Sequence, residues 1–123
     1  MLWWENLAAA TYLKEFDRLS DPRVVVITYD LGGTVGEYIK ANEPYAEPIA
    51  QTPGLRWKIW ILDEANKRAG GIYLFESDAH LQKFMQGEII AEVKADASAS
   101  FQEFDVIPEL SAVTRAPLNL AAD

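Results

Sequence analysis

The sequence predicts an α+β fold in which a four-stranded, largely antiparallel sheet carries two helical segments on one face. Three observations lead to this prediction. Short β-branched and aromatic runs alternate with amphipathic runs in the order βαββαβ, two of the strands are close enough to form a hairpin, and the 123-residue chain is 50% hydrophobic. Such a chain can bury one core but not two, so we expect a single domain over residues 1–123.

An additional helix is predicted over residues 2–19, ahead of the sheet. Apolar residues recur there at three- and four-residue spacings, and the pattern ends at Ser20-Asp21-Pro22 because proline disfavours a helical conformation in the residue before it. We expect residues 1–20 to form a helical extension that docks on its own domain or on a partner rather than on a membrane. The N-terminus lacks the basic start of a signal peptide, so no targeting segment is expected.

The first strand is predicted at residues 24–29, where valine, isoleucine, threonine and tyrosine follow one another. A helix capped at Thr34 comes next and extends to about residue 51. Pro44 and Pro48 lie inside it, so we expect a kink or a break near Asn42-Glu43. A bent helix would leave a gap against the sheet.

The second and third strands, residues 55–62 and 70–75, flank a polar connection and are expected to form a hairpin. The Gly70-Gly71 pair is interpreted as a bulge or a close approach of two backbones. Ser77 is expected to cap a further helix, and residues 101–107 form the last predicted strand. The resulting order is that of a ferredoxin-like fold with an extra N-terminal helix.

The strands also predict a homodimer, because both faces of the sheet are apolar. Val24 and Val26 alternate with Val25 and Ile27 in the first strand, and the third strand has the same character. Two helical segments cover only one face, and a soluble monomer rarely exposes an apolar surface as large as the other. We therefore expect sheet-on-sheet association, with coverage by the N-terminal helix as the alternative.

Charge and residue usage exclude several classes of function. The formal net charge of −8 disfavours nucleic acid and anionic membrane surfaces as partners. The chain has no cysteine, which removes disulfides and thiolate metal sites and agrees with a cytoplasmic location. His80 is the single histidine, so no multi-histidine metal site within one chain is expected.

The centre of the chain carries a distinctive pattern of glycine, tryptophan and aromatic residues. Its members are Pro53-Gly54, Trp57-Lys58, Trp60, Glu64, Asn66 and the run AGGIYLF at residues 69–75. This pattern, with similar residues on either side, resembles the YdhR-type mono-oxygenase family over about residues 24–118. The resemblance implies the dimeric α+β barrel fold, with a ligand pocket between each sheet and its own helices.

The same resemblance implies a function. It is that of a cofactor-independent mono-oxygenase acting on a small hydrophobic or aromatic molecule, polyketide-like or quinol-like. Because one scaffold hosts several chemistries, an isomerase, cyclase or lyase remains an alternative, and so does a non-catalytic binder of small ligands. Haem-degrading relatives use a helix histidine near Glu92-Val93, where this chain has none, so we expect no haem and no other cofactor.

Aromatic residues are the candidates for substrate binding, with ordinary core or interface packing as the alternative for each. They are Trp57, Tyr73, Tyr29, Trp60 and Phe84. Trp57 is favoured as a pocket residue because strict alternation places it with Leu55 on a strand face that is free of charge. Trp60 would share the other face with Arg56 and Lys58, which are interpreted as ion-pairing residues across the dimer, or else as an anion site.

The candidates for catalysis are Tyr73, Glu64 and His80. Tyr73 would donate a phenolic hydrogen bond to a substrate carbonyl, unless it is bonded to backbone instead. Glu64 lies in the hairpin connection, where it would act as a base if it reaches a pocket and is otherwise solvated. His80 belongs to an exposed first helical turn and serves only if it points inward. No metal ligand set is expected.

Overall fold

Four antiparallel strands form the sheet in the computed structural model, which describes residues 21–118. The elements in chain order are β1 Arg23–Asp30, α1 Val35–Ala50, β2 Leu55–Asp63, β3 Arg68–Phe75, α2 Asp78–Met85, α3 Glu88–Lys94, β4 Ser100–Asp105 and α4 Pro108–Val113. The strand order is β2-β3-β1-β4. The predicted ferredoxin-like order βαββαβ is confirmed, with the short helix α4 following β4. The predicted N-terminal helix lies outside the described residues.

Helix α1 begins at a capping box. The Oγ1 of Thr34 accepts from the backbone N–H of Glu37, and the Glu37 carboxylate accepts from the N–H of Thr34. Those hydrogen bonds lower the pKa of Glu37. The helix then continues through Pro44 and Pro48 to Ala50, so the predicted break into two pieces is wrong. Only Ile49 of this helix is buried, which leaves α1 weakly attached to the sheet.

The pairing of β2 with β3 contains a β-bulge that reverses the alternation of side chains. Leu55 is opposite Phe75, but the register shifts, and Trp57 is opposite Leu74. One extra residue, Arg56, therefore lies in β2 between these two pairs. From that point Lys58, which is opposite Tyr73, lies on the same face as Leu55, whereas Trp57 lies on the other. The prediction that Leu55 and Trp57 share a face is wrong for this reason.

The two faces of the sheet have different neighbours. On the helix-covered face, the buried core consists of Val25, Ile27, Ile49, Leu55, Tyr73, Phe75, Leu81, Phe84, Met85 and Ile90. The opposite face, called the open face below, carries the apolar residues Val24, Val26, Trp57, Ile59, Ile61, Ile72, Leu74 and Phe104. Both faces are thus apolar, as the strand pattern predicted. In residues 21–118, no helix is both long enough and apolar enough to cross a membrane.

The Gly70-Gly71 pair permits two close approaches rather than a bulge. A Cβ atom at Gly70 would overlap the carbonyl oxygen of Ile27 in the neighbouring strand. A Cβ atom at Gly71 would instead collide with Cε of the Lys58 side chain, which lies across this position. The close approach expected from the sequence is confirmed, whereas the bulge of this hairpin is at Arg56.

Candidate functional site

A cavity of about 90 Å³, called the main cavity, opens on the helix-covered face of the sheet. Strands β1, β2 and β3 provide its floor, and helices α1 and α3 provide its walls. The lining residues are Tyr29, Asn42, Tyr45, Ile49, Lys58, Trp60, Tyr73, Ile89, Ile90, Glu92 and Val93. Most of them are aromatic or aliphatic, so the cavity suits an apolar molecule that carries few polar groups.

Two further cavities adjoin the main one and share Trp60 with it. The first, of about 210 Å³, is lined by one side of α1 from Tyr38 to Ala46. The second, of about 170 Å³, follows the edge of β2 from Leu55 to Lys58. The Trp60 indole, which is 37% exposed, therefore borders all three cavities.

Lys58 brings an amine into this apolar setting. Its Nζ lies 3.2 Å from the centroid of the Trp60 ring and 4.5 Å from that of Tyr73, so both rings present their faces to the amine. None of the ion pairs formed among residues 21–118 involves Lys58. Burial lowers the pKa of Lys58 to about 7, because the charged form loses its hydration. A substantial fraction of the amine is therefore neutral near pH 7.

Tyrosine hydroxyls provide further polar atoms near the cavity, beside the side chains of Asn42 and Glu92. The hydroxyls of Tyr29 and Tyr38 lie 2.6 Å apart and share a hydrogen bond. Burial raises the pKa of both Tyr38 and Tyr73, so both phenols stay protonated at neutral pH and each has a hydrogen to donate. Within the described part of the chain, the Tyr73 hydroxyl has no hydrogen-bond partner. It is thus available to a bound molecule.

Three of the five predicted substrate-binding residues meet in the main cavity: Tyr29, Trp60 and Tyr73. Trp57 does not line it, but it borders the adjoining cavity of about 170 Å³ along β2. Its indole belongs to the open face, where Nε1 donates to the carbonyl oxygen of Pro117 at 2.7 Å. Phe84 belongs to the core behind the cavity, with its ring centroid 5.2 Å from that of Tyr73.

The other two catalytic candidates lie away from the main cavity. Glu64 is exposed in the β2–β3 turn, where its carbonyl accepts from the N–H of Lys67. His80 packs beside Gly54, and its Nδ1 lies 2.7 Å from the Oγ of the cap residue Ser77. The Oε1 atom of Glu76 lies 3.6 Å from the same nitrogen. His80 is therefore held by its helix cap, not by the cavity.

Lys58 is the main candidate residue whose position the sequence did not reveal. Its alternation with Trp60 was visible, but the pattern did not show which face the helices cover. The interpretation of Lys58 as an ion-pairing residue of the dimer is corrected by its place in the cavity. The contributions of Asn42 and Tyr45 from α1, and of Glu92 from α3, also carried no sequence signal.

Several solved structures share this fold. A mutant of the cofactor-independent oxygenase SnoaB from Streptomyces nogalater has a TM-score of 0.57 at 12% identity, covering 70% of this chain and 93% of its own. The haem-free heme-degrading protein Rv3592 from Mycobacterium tuberculosis has a TM-score of 0.53 at 24% identity, covering 71% and 93%. A "putative Antibiotic biosynthesis monooxygenase" from Chloroflexus aurantiacus has a TM-score of 0.53 at 11% identity, covering 71% and 94%.

These structures establish that the fold is the one used by antibiotic-biosynthesis mono-oxygenases and similar proteins, and at these identities they establish the fold alone. No curated protein sequence matches the chain. A family model described as "Putative mono-oxygenase ydhR" matches residues 24–117, which covers every described strand and helix except Arg23, the first residue of β1. The chain therefore belongs to the YdhR mono-oxygenase family.

Proposed function

We propose that this protein is a cofactor-independent mono-oxygenase that oxidises a small aromatic substrate bound in the main cavity. The observation that carries the proposal is the combination of aromatic walls with the Lys58 amine and the available phenol of Tyr73. An apolar space with so few polar groups selects a largely hydrophobic molecule with an ionisable or carbonyl oxygen. The family and the shared fold with SnoaB support the same assignment.

The overall reaction needs no external reductant. An anthrone-type substrate loses both hydrogens of its activated CH₂ group and gains one oxygen atom of O₂ as a carbonyl. The second oxygen atom leaves as water together with those two hydrogens, and the substrate supplies all the electrons that reduce O₂. The protein contributes binding, orientation and stabilisation of the substrate anion that reacts with O₂.

The surroundings of the cavity suit these tasks. The protonated Tyr73 hydroxyl donates to the developing oxyanion, and the low-dielectric walls make that hydrogen bond stronger than it would be in water. A ring system larger than the main cavity requires the adjoining spaces, since ligand pockets usually measure roughly 300–1,000 Å³. We expect rotation of Trp60 to supply this room.

Oxygen consumption with anthrone-type and quinol-type substrates tests the proposal. We expect uptake above the protein-free rate, with product formed in equal amount to the oxygen consumed. Heat-denatured protein is the control for spontaneous oxidation. If a hydrophobic ligand binds but uptake stays at the protein-free rate, the oxygenase assignment is wrong. Conversion of the substrate without oxygen consumption would identify an isomerase, cyclase or lyase instead.

A further inference from the structure

We propose that the Lys58 amine is the catalytic base: it takes the proton from an acidic hydroxyl or C–H group of the substrate bound in the main cavity. This inference rests on the proposed oxygenase function and deepens it. It assigns to the substrate a group that ionises to an oxyanion or a stabilised carbanion, as in a phenol, an enol or an anthrone-type ketone.

The backbone delivers this amine to the cavity by two features described above. The bulge at Arg56 places Lys58 on the helix-covered face, opposite Tyr73. Gly71 then leaves open the space that the lysine stem crosses, because any larger residue there would meet Cε. The side chain consequently lies over the sheet and ends among ring faces, instead of extending to solvent as most lysines do.

The electrostatic setting favours a neutral amine with a free lone pair. Burial lowers the pKa of Lys58 to about 7, and a general base is most effective when its pKa lies near the working pH. Other titratable groups face the same cavity: Glu92 from α3, Tyr45 from α1, Tyr29 from β1 and Tyr73 from β3. Glu92 is exposed and forms no ion pair with Lys58.

The proton transfer is balanced in atoms and charge. The Nζ lone pair forms a new N–H bond while the O–H or C–H bond of the substrate breaks, and the bonding electrons remain on the substrate. A neutral pair thereby becomes an ammonium next to an anion, which the Tyr73 hydroxyl also stabilises. The ammonium later returns its proton to the oxygen atom that leaves as water.

Hydrogen–deuterium exchange into carbon acids, measured without oxygen, isolates this step. Wild-type protein is incubated in D₂O under anaerobic conditions with anthrone or with the smaller 2-tetralone, and loss of the activated C–H signal is followed by NMR. We expect accelerated exchange whose rate rises with pH through about 7 and then levels off. Lys58→Met should lose at least about 100-fold of the acceleration, within the usual contribution of a general base.

Two control variants separate a base from a nearby charge or a structural role. Lys58→Arg keeps a cation but cannot accept a proton, so it should lose the exchange as Lys58→Met does. Lys40→Met removes an exposed lysine from α1 and should exchange at the wild-type rate. Near-ultraviolet circular dichroism of each variant confirms that it is folded.

Each outcome bears on the inference. Wild-type protein that fails to accelerate exchange of either ketone, or a Lys58→Met variant that exchanges normally, overturns the role of Lys58. Retention of exchange in Lys58→Arg also overturns it, because the cation alone would then suffice. Exchange that depends on Lys58, in a protein that consumes no oxygen, supports the base while refuting the oxygenase.

Discussion

Lys58 links protonation to folding, because its pKa is about 7 in the folded protein and 10.5 ordinarily. Between these values the unfolded chain binds more protons than the folded one, so the lysine's contribution makes stability rise with pH across this window. At pH 7 and below, the folded state carries the cost of a buried ammonium. Replacing the amine with an apolar side chain removes that cost.

We therefore expect Lys58→Met to raise the free energy of unfolding at pH 6 by about 1 to 3 kcal/mol, with a smaller gain at pH 9.5. Urea denaturation of both proteins at the two pH values measures the difference. Lys40→Met is the matched control and should follow the wild type, since that lysine is exposed. Equal stability of Lys58→Met and wild type at pH 6 would contradict the buried amine.

The adjacent Gly70 and Gly71 of β3 give a second prediction, because a side chain at each position would collide with a different neighbour. Gly71→Ala meets the flexible end of Lys58, so stability should change by about 1 kcal/mol or less while deuterium exchange into ketones falls sharply. Gly70→Ala meets the backbone of Ile27 and should cost about 3 kcal/mol or more. Denaturation curves and exchange assays on the pair check this contrast. The reverse order of stabilities would refute it.

Because Trp60 borders the main cavity and both of its neighbours, we expect its side chain to limit the size of ligand that fits. We expect Trp60→Ala to bind anthrone at least as tightly as wild type and to bind phenol about tenfold more weakly, a loss of about 1.4 kcal/mol. Titration calorimetry with ligands of increasing size gives the comparison. Phe104→Ala, on the open face and away from these cavities, should keep the wild-type preference. An unchanged preference in Trp60→Ala would mean that the indole is no barrier.

Among the elements, α1 is the wall of the cavity that is held least firmly. Its side chains are largely exposed, Ile39 at 54% and Tyr45 at 45%, and only Ile49 is buried. Its two prolines also remove two backbone donors from the helix. Helices with few buried contacts open at a lower free energy than core strands do.

Hydrogen exchange of the backbone should therefore be faster in α1 than in β1 or β3 under native conditions. Mass spectrometry of peptic fragments resolves these elements. A ligand that fills the main cavity should slow the exchange of α1 selectively, because it adds contacts to that wall. Protection of α1 equal to that of β3 in the free protein would contradict the weak attachment.

Strand β2 shows how far the sequence predicts the site. Alternation correctly placed Lys58 and Trp60 on one face, but it wrongly placed Trp57 with Leu55. A register is defined by how two strands pair. The extra residue at Arg56 therefore cannot be recognised from the hydrophobic alternation of β2 alone. In α1, the prolines predicted a kink or a break, whereas the helix continues through both of them to Ala50.

For the whole molecule, the order and type of the elements could be predicted because hydrophobic periodicity and turn residues are local properties. Tyr29, Trp60 and Tyr73 were recognised as site candidates since aromatic residues mark pockets as well as cores. The cavity itself is formed by tertiary packing of five elements, so it cannot be predicted from the sequence pattern of any one segment. Glu64 was a candidate because it matches the family pattern, and His80 because histidine is a common acid–base group. Their backbone positions nevertheless hold both side chains away from the main cavity.

The open face leads to the last prediction, a homodimer. Ile59 and Phe104 are 51% and 48% exposed on this face, and sheet-on-sheet association would bury them. We expect light scattering to give twice the 13.8 kDa chain mass at micromolar concentration. Ile59→Glu should shift the protein toward the monomer, whereas Ile39→Glu, similarly exposed on α1, should not. A wild-type monomer at this concentration would rule out the dimer.

The bulge at Arg56 has a consequence for communication across the sheet. Trp57 belongs to the open face and Lys58 to the cavity, so one peptide unit joins a surface available for association to the proposed base. We expect a contact that tilts the Trp57 backbone to change the angle at which the amine enters the cavity. By thermodynamic linkage, a ligand held by Lys58 would alter the strength of that contact by the same factor. Dimer assembly and ligand binding in the main cavity would then be thermodynamically coupled.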